Sequence, residues 1–435
     1  MPAHLHTINL YKFDDVVSAL QKSIRRCDTA QALFWAGELN QGFKPILYSR
    51  LWTIIAEDIG LASPFLAQEL FPLYQAWTKA QNTNTALTEE LTIRIVYTLS
   101  KAPKNRVVDN LLLYNYFQPR PTNGWKRSTV TKRWQEKIQH LFSVNLFEQA
   151  VEKEIDVQAA LVQLVACLEK RDATNAYYFC NIINLSTEET DRLPWLLQYL
   201  GLNKPLKIDS KWSKKMTLFC WYILFEMVKD KKELLDVLKV LFQLYLGKIG
   251  APNLLLAFAI LLYCNEKRLV QETTRLPLIS EIPSDLQNLY YNNQATILER
   301  RQLSIPDYAI DKHTDRGKPS AYAPHNIADL HTEAQKKRIA TYQWSPKEIA
   351  KSHGNYKVFA DYVQSGQHSR MSHFFQEGAL LKNTPTNWKG EDPYKKEVER
   401  YFLSLEKKYN YQACSGFFIL EKMRPIWIQQ QELWK

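Results

Sequence analysis

Five side chains between Asp311 and His331 carry the atoms that hold divalent metals: Asp311, His313, Asp315, His325 and His331. Zinc or manganese held there would activate water against a phosphodiester. Their spacing lacks a geometric reason, because metal-binding histidines on one helix stand a turn apart. Read as a loop, Asp311, His313, Thr314, Arg316 and Lys318 fix their own backbone or touch a phosphate. The chain has no GxxxxGK[ST], GxGxxG or GxSxG motif, so nothing points to a phosphate-cradling loop or a nucleophile elbow. The six cysteines, at 27, 167, 180, 220, 264 and 414, form no CxxC pair, and most sit in apolar runs such as LFCWYILF. They read as reduced, buried thiols; Cys27 beside Arg25 and Arg26 is the one in electropositive surroundings. No catalytic residue, resident metal or cofactor is assigned.

Cations interleaved with aromatic rings carry a different chemistry. Lys101 to His140 holds nine Lys or Arg against Asp109 and Glu136, a sum of 9 − 2 = +7, with Tyr114, Tyr116, Phe117, Trp125 and Trp134 between them. Cations neutralise phosphates and release counterions, and exposed rings stack on unpaired bases. The phosphate ligands expected here are Lys101, Lys104, Arg106, Arg120, Lys126, Arg127, Lys132 and Arg133, with Trp125 as a ring. A second set lies in the C-terminal part: Lys312, His313, Arg316, Lys318, Arg370 and Lys382. Over 301–435 the sum is 21 − 15 = +6, and six of the nine histidines fall between His313 and His373. The net charge of +11 favours anionic partners, nucleic acid first. The bland alternative is a solvated linker whose rings pack on neighbouring helices.

The elements that must position these groups read as helices. Thirteen glycines in 435 residues suit long helices better than a turn-rich β protein. Val17, Leu20 and Ile24 recur on one helical face; Asp28 or Thr29 starts the next helix; Gly42 and Pro45 separate it from a third. Two more helices follow from Phe65 to Lys101, the second with Thr88 as its cap and Glu90 nearby. Candidate helices then run over Val157–Lys170, Thr174–Ile183, Leu193–Leu200, Lys214–Lys229, Lys232–Leu246 and Pro252–Tyr263, alternating apolar stripes with Lys/Glu faces. Ser186-Thr187-Glu188-Glu189 and Asp209-Ser210 look like helix starts. The expectation is an all-α fold in four parts: 1–115 a helical domain, 116–140 a basic aromatic linker, 141–300 a helical array, 301–435 a basic His-rich region. The longest apolar runs, Met216 to Val228 (interrupted by Glu226) and Leu254 to Tyr263, are too short to span a bilayer. No N-terminal signal pattern is present, so an intracellular, reducing location is expected, cytoplasmic or nucleoid-associated.

Four blocks then carry a resemblance. SALQKSIR (Ser18 to Arg25), DTAQALFWAGELNQG (Asp28 to Gly42), YSRLWTIIAEDIGLASP (Tyr48 to Pro64) and KAPKN (Lys101 to Asn105) follow one another. In order and spacing they resemble the C-terminal helical region of the RarA/MgsA family of AAA+ ATPases, which includes the Werner-helicase-interacting protein. The match covers the first quarter to third of the chain. It implies an oligomerising, DNA-associated bundle, dimeric or tetrameric. Because about a dozen residues precede Asp14, the ATPase module is expected to be missing or separately encoded, an arrangement that suits a virus or mobile element.

Within that stretch Glu57 and Asp58 stand at a helix C-terminus, where the helix dipole disfavours them. Lys22 and Arg25 from the first helix and Arg50 two turns upstream are expected to join Glu57 and Asp58 in an inter-helix ion network; the alternative is solvated charges. The functional expectation is a non-catalytic DNA-binding, oligomerising accessory protein of replication, recombination or repair. The alternatives are a helical adaptor for a separate AAA+ ATPase, and a metal-dependent enzyme on the His-rich region.

Overall fold

Side-chain oxygens start the helices. Asp28, Asn84, Asp156 and Asp172 accept from the backbone N–H of Gln31, Leu87, Ala159 and Asn175 at 2.9–3.1 Å. Each satisfies one of the N–H groups that a first turn leaves without a partner. The computed structural model describes residues 7, 11, 13–117, 130–142, 156–202, 205–272, 282–291, 305–306, 309, 390–398 and 400. Among these the protein is all-α, and a lone β-bridge joins Glu189 and Lys215.

The elements are α1 (Phe13–Arg25), α2 (Thr29–Asn40), α3 (Lys44–Ile54), α4 (Leu66–Ala80), α5 (Thr85–Lys101), α6 (Val107–Phe117), α7 (Lys132–Phe142) and α8 (Val157–Glu169). They continue as α9 (Ala173–Leu185), α10 (Leu193–Leu200), α11 (Thr217–Val228), α12 (Lys232–Leu246), α13 (Pro252–Cys264), α14 (Glu266–Glu272) and α15 (Ser284–Tyr291). The chain forms two compact units, divided at Leu47/Tyr48 within α3.

The first unit contains α1, α2 and α15. Val16, Leu20 and Ile24 of α1 and Ala32, Leu33 and Trp35 of α2 are wholly buried. Tyr11 sets its edge against Phe34 and Trp35, and the Ser18 hydroxyl donates to the Ala309 carbonyl at 2.6 Å. This hairpin also buries Asp15, Lys22, Arg25 and Glu38.

The second unit is built round α13. Leu254 to Tyr263 are all buried, as expected of a helix apolar on every side. It packs on α6, α9, α11 and α12. Segment 390–395 joins this unit: Asn110 donates to Asp392 at 2.7 Å, and Tyr394 lies against Tyr114. No described helix is long and apolar enough to cross a membrane.

Local corrections follow from hydrogen bonds. Asn84, not Thr88, caps α5; the Thr88 hydroxyl donates to the Thr85 carbonyl. Residues 186–189 start no helix, because the Ser186 hydroxyl accepts from Glu188 and the strand-like run leads to the Lys215 bridge. Asp209 does begin a turn of 3-10 helix, accepting from Lys211 and Trp212.

Candidate nucleic-acid interface

Helix α7 has the sequence KRWQEKIQHLF. Trp134, Ile138 and Leu141, at steps of four and three, are buried. The other face is open: the Lys132 and Arg133 side chains are 90% and 62% exposed. Helix α10 is set by Pro194 in its first turn and by Gly201, whose φ of 65° accepts the left-handed C-terminal cap. Arg192, just before α10, donates to the His140 and Leu141 carbonyls at 3.0 and 3.3 Å, so it closes the end of α7 and ties the two helices together.

Between them lies α11, an apolar helix whose one charged residue is Glu226. That carboxylate is 5% exposed, and buried carboxylates persist only with partners. Tyr199 of α10 donates to its Oε1 at 2.7 Å and Tyr222 reaches the same atom at 3.5 Å. Its Oε2 is in ion-pair contact with Lys137, with Arg133 at 3.9 Å and Lys229 at 4.0 Å. The Lys137 approach is ionic, without the alignment of a hydrogen bond. Burial alone would raise the Glu226 carboxyl; Lys137, the Tyr199 hydroxyl and Lys229 outweigh it and hold it below its ordinary value. Desolvation, then Glu226, pushes the Tyr199 phenol upward, so it stays a neutral donor.

Aromatic rings surround this centre. Trp195 and Tyr199 stack with centroids 5.8 Å apart and planes at 24°. Tyr222 supports both, at 5.1 Å and 5.5 Å, and His140 meets the Trp195 edge at 6.2 Å. Lys137 lies 5.9 Å from the centres of Trp134 and Tyr222. Three cations thus surround one carboxylate beside a group of stacked rings. Asp230, exposed at the next turn, subtracts part of that excess.

The structure separates the phosphate ligands expected from sequence. Lys132 and Arg133 belong to the open face of α7. Lys101 is exposed at the end of α5, 5.5 Å from the Tyr97 ring centre. Lys104 is a correction: it is 0% exposed, and its ammonium donates to the carbonyls of Leu99, Ser100 and Ala102, where it caps the negative end of α5. Arg106 is another. Its guanidinium pairs with Asp109, with Glu57 at 3.3 Å and with Asp58 at 3.7 Å. Burial opposes its charge, but Asp109, Asp58 and Glu57 more than compensate and raise its pKa. Both cations are committed within their own unit and have no reach to a phosphate. Trp134, expected as an exposed ring, is 8% exposed and packs inward. Arg120, Trp125, Lys126, Arg127, Lys312, His313, Arg316, Lys318, Arg370 and Lys382 lie outside the described residues, as do Asp311, Asp315, His325 and His331.

Arg106 also bears on the ion network. It supplies a cation to Glu57 and Asp58, which sit in a π-helical turn (Ile55–Ile59) continuing α3. The KAPKN block is locked to that turn: Asn105 N–H donates to the Asp58 carbonyl at 2.8 Å. Gly60, at φ 46°, lets the two approach; a Cβ there would stand 3.1 Å from Val108. Arg50 is half-buried in α3, and Lys22 and Arg25 are buried in α1 of the other unit.

Among the described residues no group of three or more His, Cys, Asp or Glu could hold a metal ion. Burial pushes the Cys167 thiol up to about 11 and the Cys264 thiol to about 12, far from nucleophilic thiolates. Cys27 has φ 61° and is the left-handed residue closing α1. Sequence reasoning missed Glu226, Tyr199, Trp195 and Tyr222. A lone Glu in an apolar run and a Trp-x-x-x-Tyr pair on one helix face were the available signals. No family model, curated protein or solved structure matches this chain.

Proposed function

We propose that the protein is a non-catalytic, DNA-binding and oligomerising accessory factor of replication, recombination or repair. The observation that carries the reading is the α7–α10–α11 cluster, where Arg133, Lys137 and Lys229 outnumber the one buried carboxylate beneath a set of aromatic rings. Such a surface attracts phosphate electrostatically and offers π-faces to bases. The overall charge of +11 and the four blocks resembling the RarA/MgsA helical region support the same reading.

A salt titration of DNA binding tests it. Log affinity should fall steeply with log salt, and Lys132→Ala with Arg133→Ala should flatten that slope by about two, one per lost phosphate contact. Lys104→Met should leave the slope unchanged, because its ammonium faces carbonyls. Absence of binding at low salt, or an unchanged slope in the double variant, would refute the assignment. Light scattering on the same samples reads the oligomeric state, where a monomer at every concentration would remove the oligomer from the proposal.

A further inference from the structure

We infer that the Trp195–Tyr199 pair is a base-stacking platform, so that this face takes single-stranded nucleic acid in preference to duplex. The inference rests on the DNA-binding reading above and deepens it.

Four observations carry it. Among the described residues, the large hydrophobic side chains left exposed are Leu87, Leu185, Tyr199 and Ile208, and Tyr199, 41% exposed, is the one aromatic in that set. Its ring is held in place by a hydroxyl bond to Glu226 at 2.7 Å. An exposed ring otherwise turns freely, and fixing it beforehand lowers the cost of ordering it on binding. The ring continues a stack onto Trp195, and Tyr222 packs against both with its plane inclined at 53° and 67°. Finally, Arg133 and Lys137 of α7 both reach the other oxygen of Glu226, Oε2, which places cations at the edge of the stack for a sugar-phosphate backbone.

A duplex keeps its bases stacked on each other, so rings can add nothing to its affinity without unstacking it. An unpaired base can continue the Trp195–Tyr199 stack at no such cost. Glu226 is here a positioning residue: it touches no ligand, and its charge orients Tyr199 and Lys137.

The test compares oligo-thymidylate with a duplex of equal length, using the full chain and a salt series for each. Tyr199→Leu should weaken strand binding by about tenfold, the scale of one lost stacking contact, and leave duplex affinity and the strand's salt slope unchanged. Tyr199→Phe, which keeps the ring, should stay within about threefold of the parent. Trp195→Ala should reproduce the Tyr199→Leu loss, with far-ultraviolet circular dichroism confirming the helical fold. If strand and duplex bind alike with a steep salt slope, and Tyr199→Leu changes neither, the platform is overturned while the DNA-binding reading stands. If neither ligand binds at low salt, both fall.

Discussion

The hairpin of α1 and α2 and the hairpin of α8 and α9 reverse the chain by the same device. Each first helix ends on a left-handed residue that is not glycine, Cys27 at φ 61° and Arg171 at φ 59°. The next residue, Asp28 or Asp172, caps the second helix. Its N–H also donates five residues back, to the carbonyl of Ser23 or Cys167, at 2.9 Å in both cases, while the N–H of the left-handed residue donates to Ile24 at 3.1 Å or to Leu168 at 2.9 Å. Those two backbone bonds are the Schellman closure, and here its last residue is itself the Asp cap of the next helix. The matching positions are 172 − 28 = 144 residues apart, and Ala32 and Ala176 are both wholly buried four residues on.

What the hairpins bury differs. The first encloses Lys22, Arg25 and Glu38; at the matching positions the second has Ala166, Glu169 and Ile182, of which Glu169 is exposed and Ala166 buried. The turn geometry therefore asks nothing of the interior. It is set locally, and each unit fills the space between its helices differently. Buried ions are costly to enclose, so the first hairpin gains a demand for one specific partner arrangement that the second lacks.

Removing a buried charge should break the likeness most. Lys22→Met is expected to cost about 3–5 kcal/mol in urea unfolding, the scale for removing one member of a buried group of charges, since Asp15, Arg25 and Glu38 are enclosed in the same hairpin. The second hairpin has no ammonium to lose at Ala166, and an unchanged midpoint for Lys22→Met would mean that the buried groups are not ionically coupled. The caps come next. Asp28→Ala and Asp172→Ala should each cost about 0.5–2 kcal/mol, and nearly equal losses are expected because the two bonds are both 3.1 Å long. Hydrogen exchange of the Gln31 and Asn175 amides checks this site by site. The smallest effect separates the left-handed residues. Cys27→Gly should stabilise by up to about 1 kcal/mol by relieving the Cβ. Arg171→Gly should lose stability instead: the guanidinium lies 3.8 Å from the Tyr263 ring centre and bonds Glu266 at 3.0 Å. A gain for both would show that these contacts contribute nothing.

Much of the second unit was readable from residue order. Leu193–Leu200 and Lys232–Leu246 have the bounds expected, because Pro194, Gly201 and Gly247 mark their ends chemically. The Ser186 run misled because a Ser followed by Glu resembles a cap, while its hydroxyl binds two residues on and the chain stays extended. The interface was half legible. Lys132 and Arg133 stood out by charge, but charge alone could not separate them from Lys104 and Arg106, whose partners come from a helix end and from residues about fifty positions away. Trp195 and Tyr199 carried no charge to mark them, and their exposure depends on how α10 meets α7.

The π-helical turn at Ile55–Ile59 inserts one residue into the winding of α3. A π-turn winds more slowly than the about 100° per residue of an α-helix, so the added residue is taken up within the turn as a local widening. Excising Ala56 would restore ordinary winding and remove the widened turn from which the Asp58 carbonyl meets the Asn105 N–H and the Glu57 and Asp58 side chains meet Arg106. The register between the KAPKN block and α3 is thus encoded by a surplus residue, a feature that a substitution scan across Glu57 and Asp58 would pass over and a single deletion would expose.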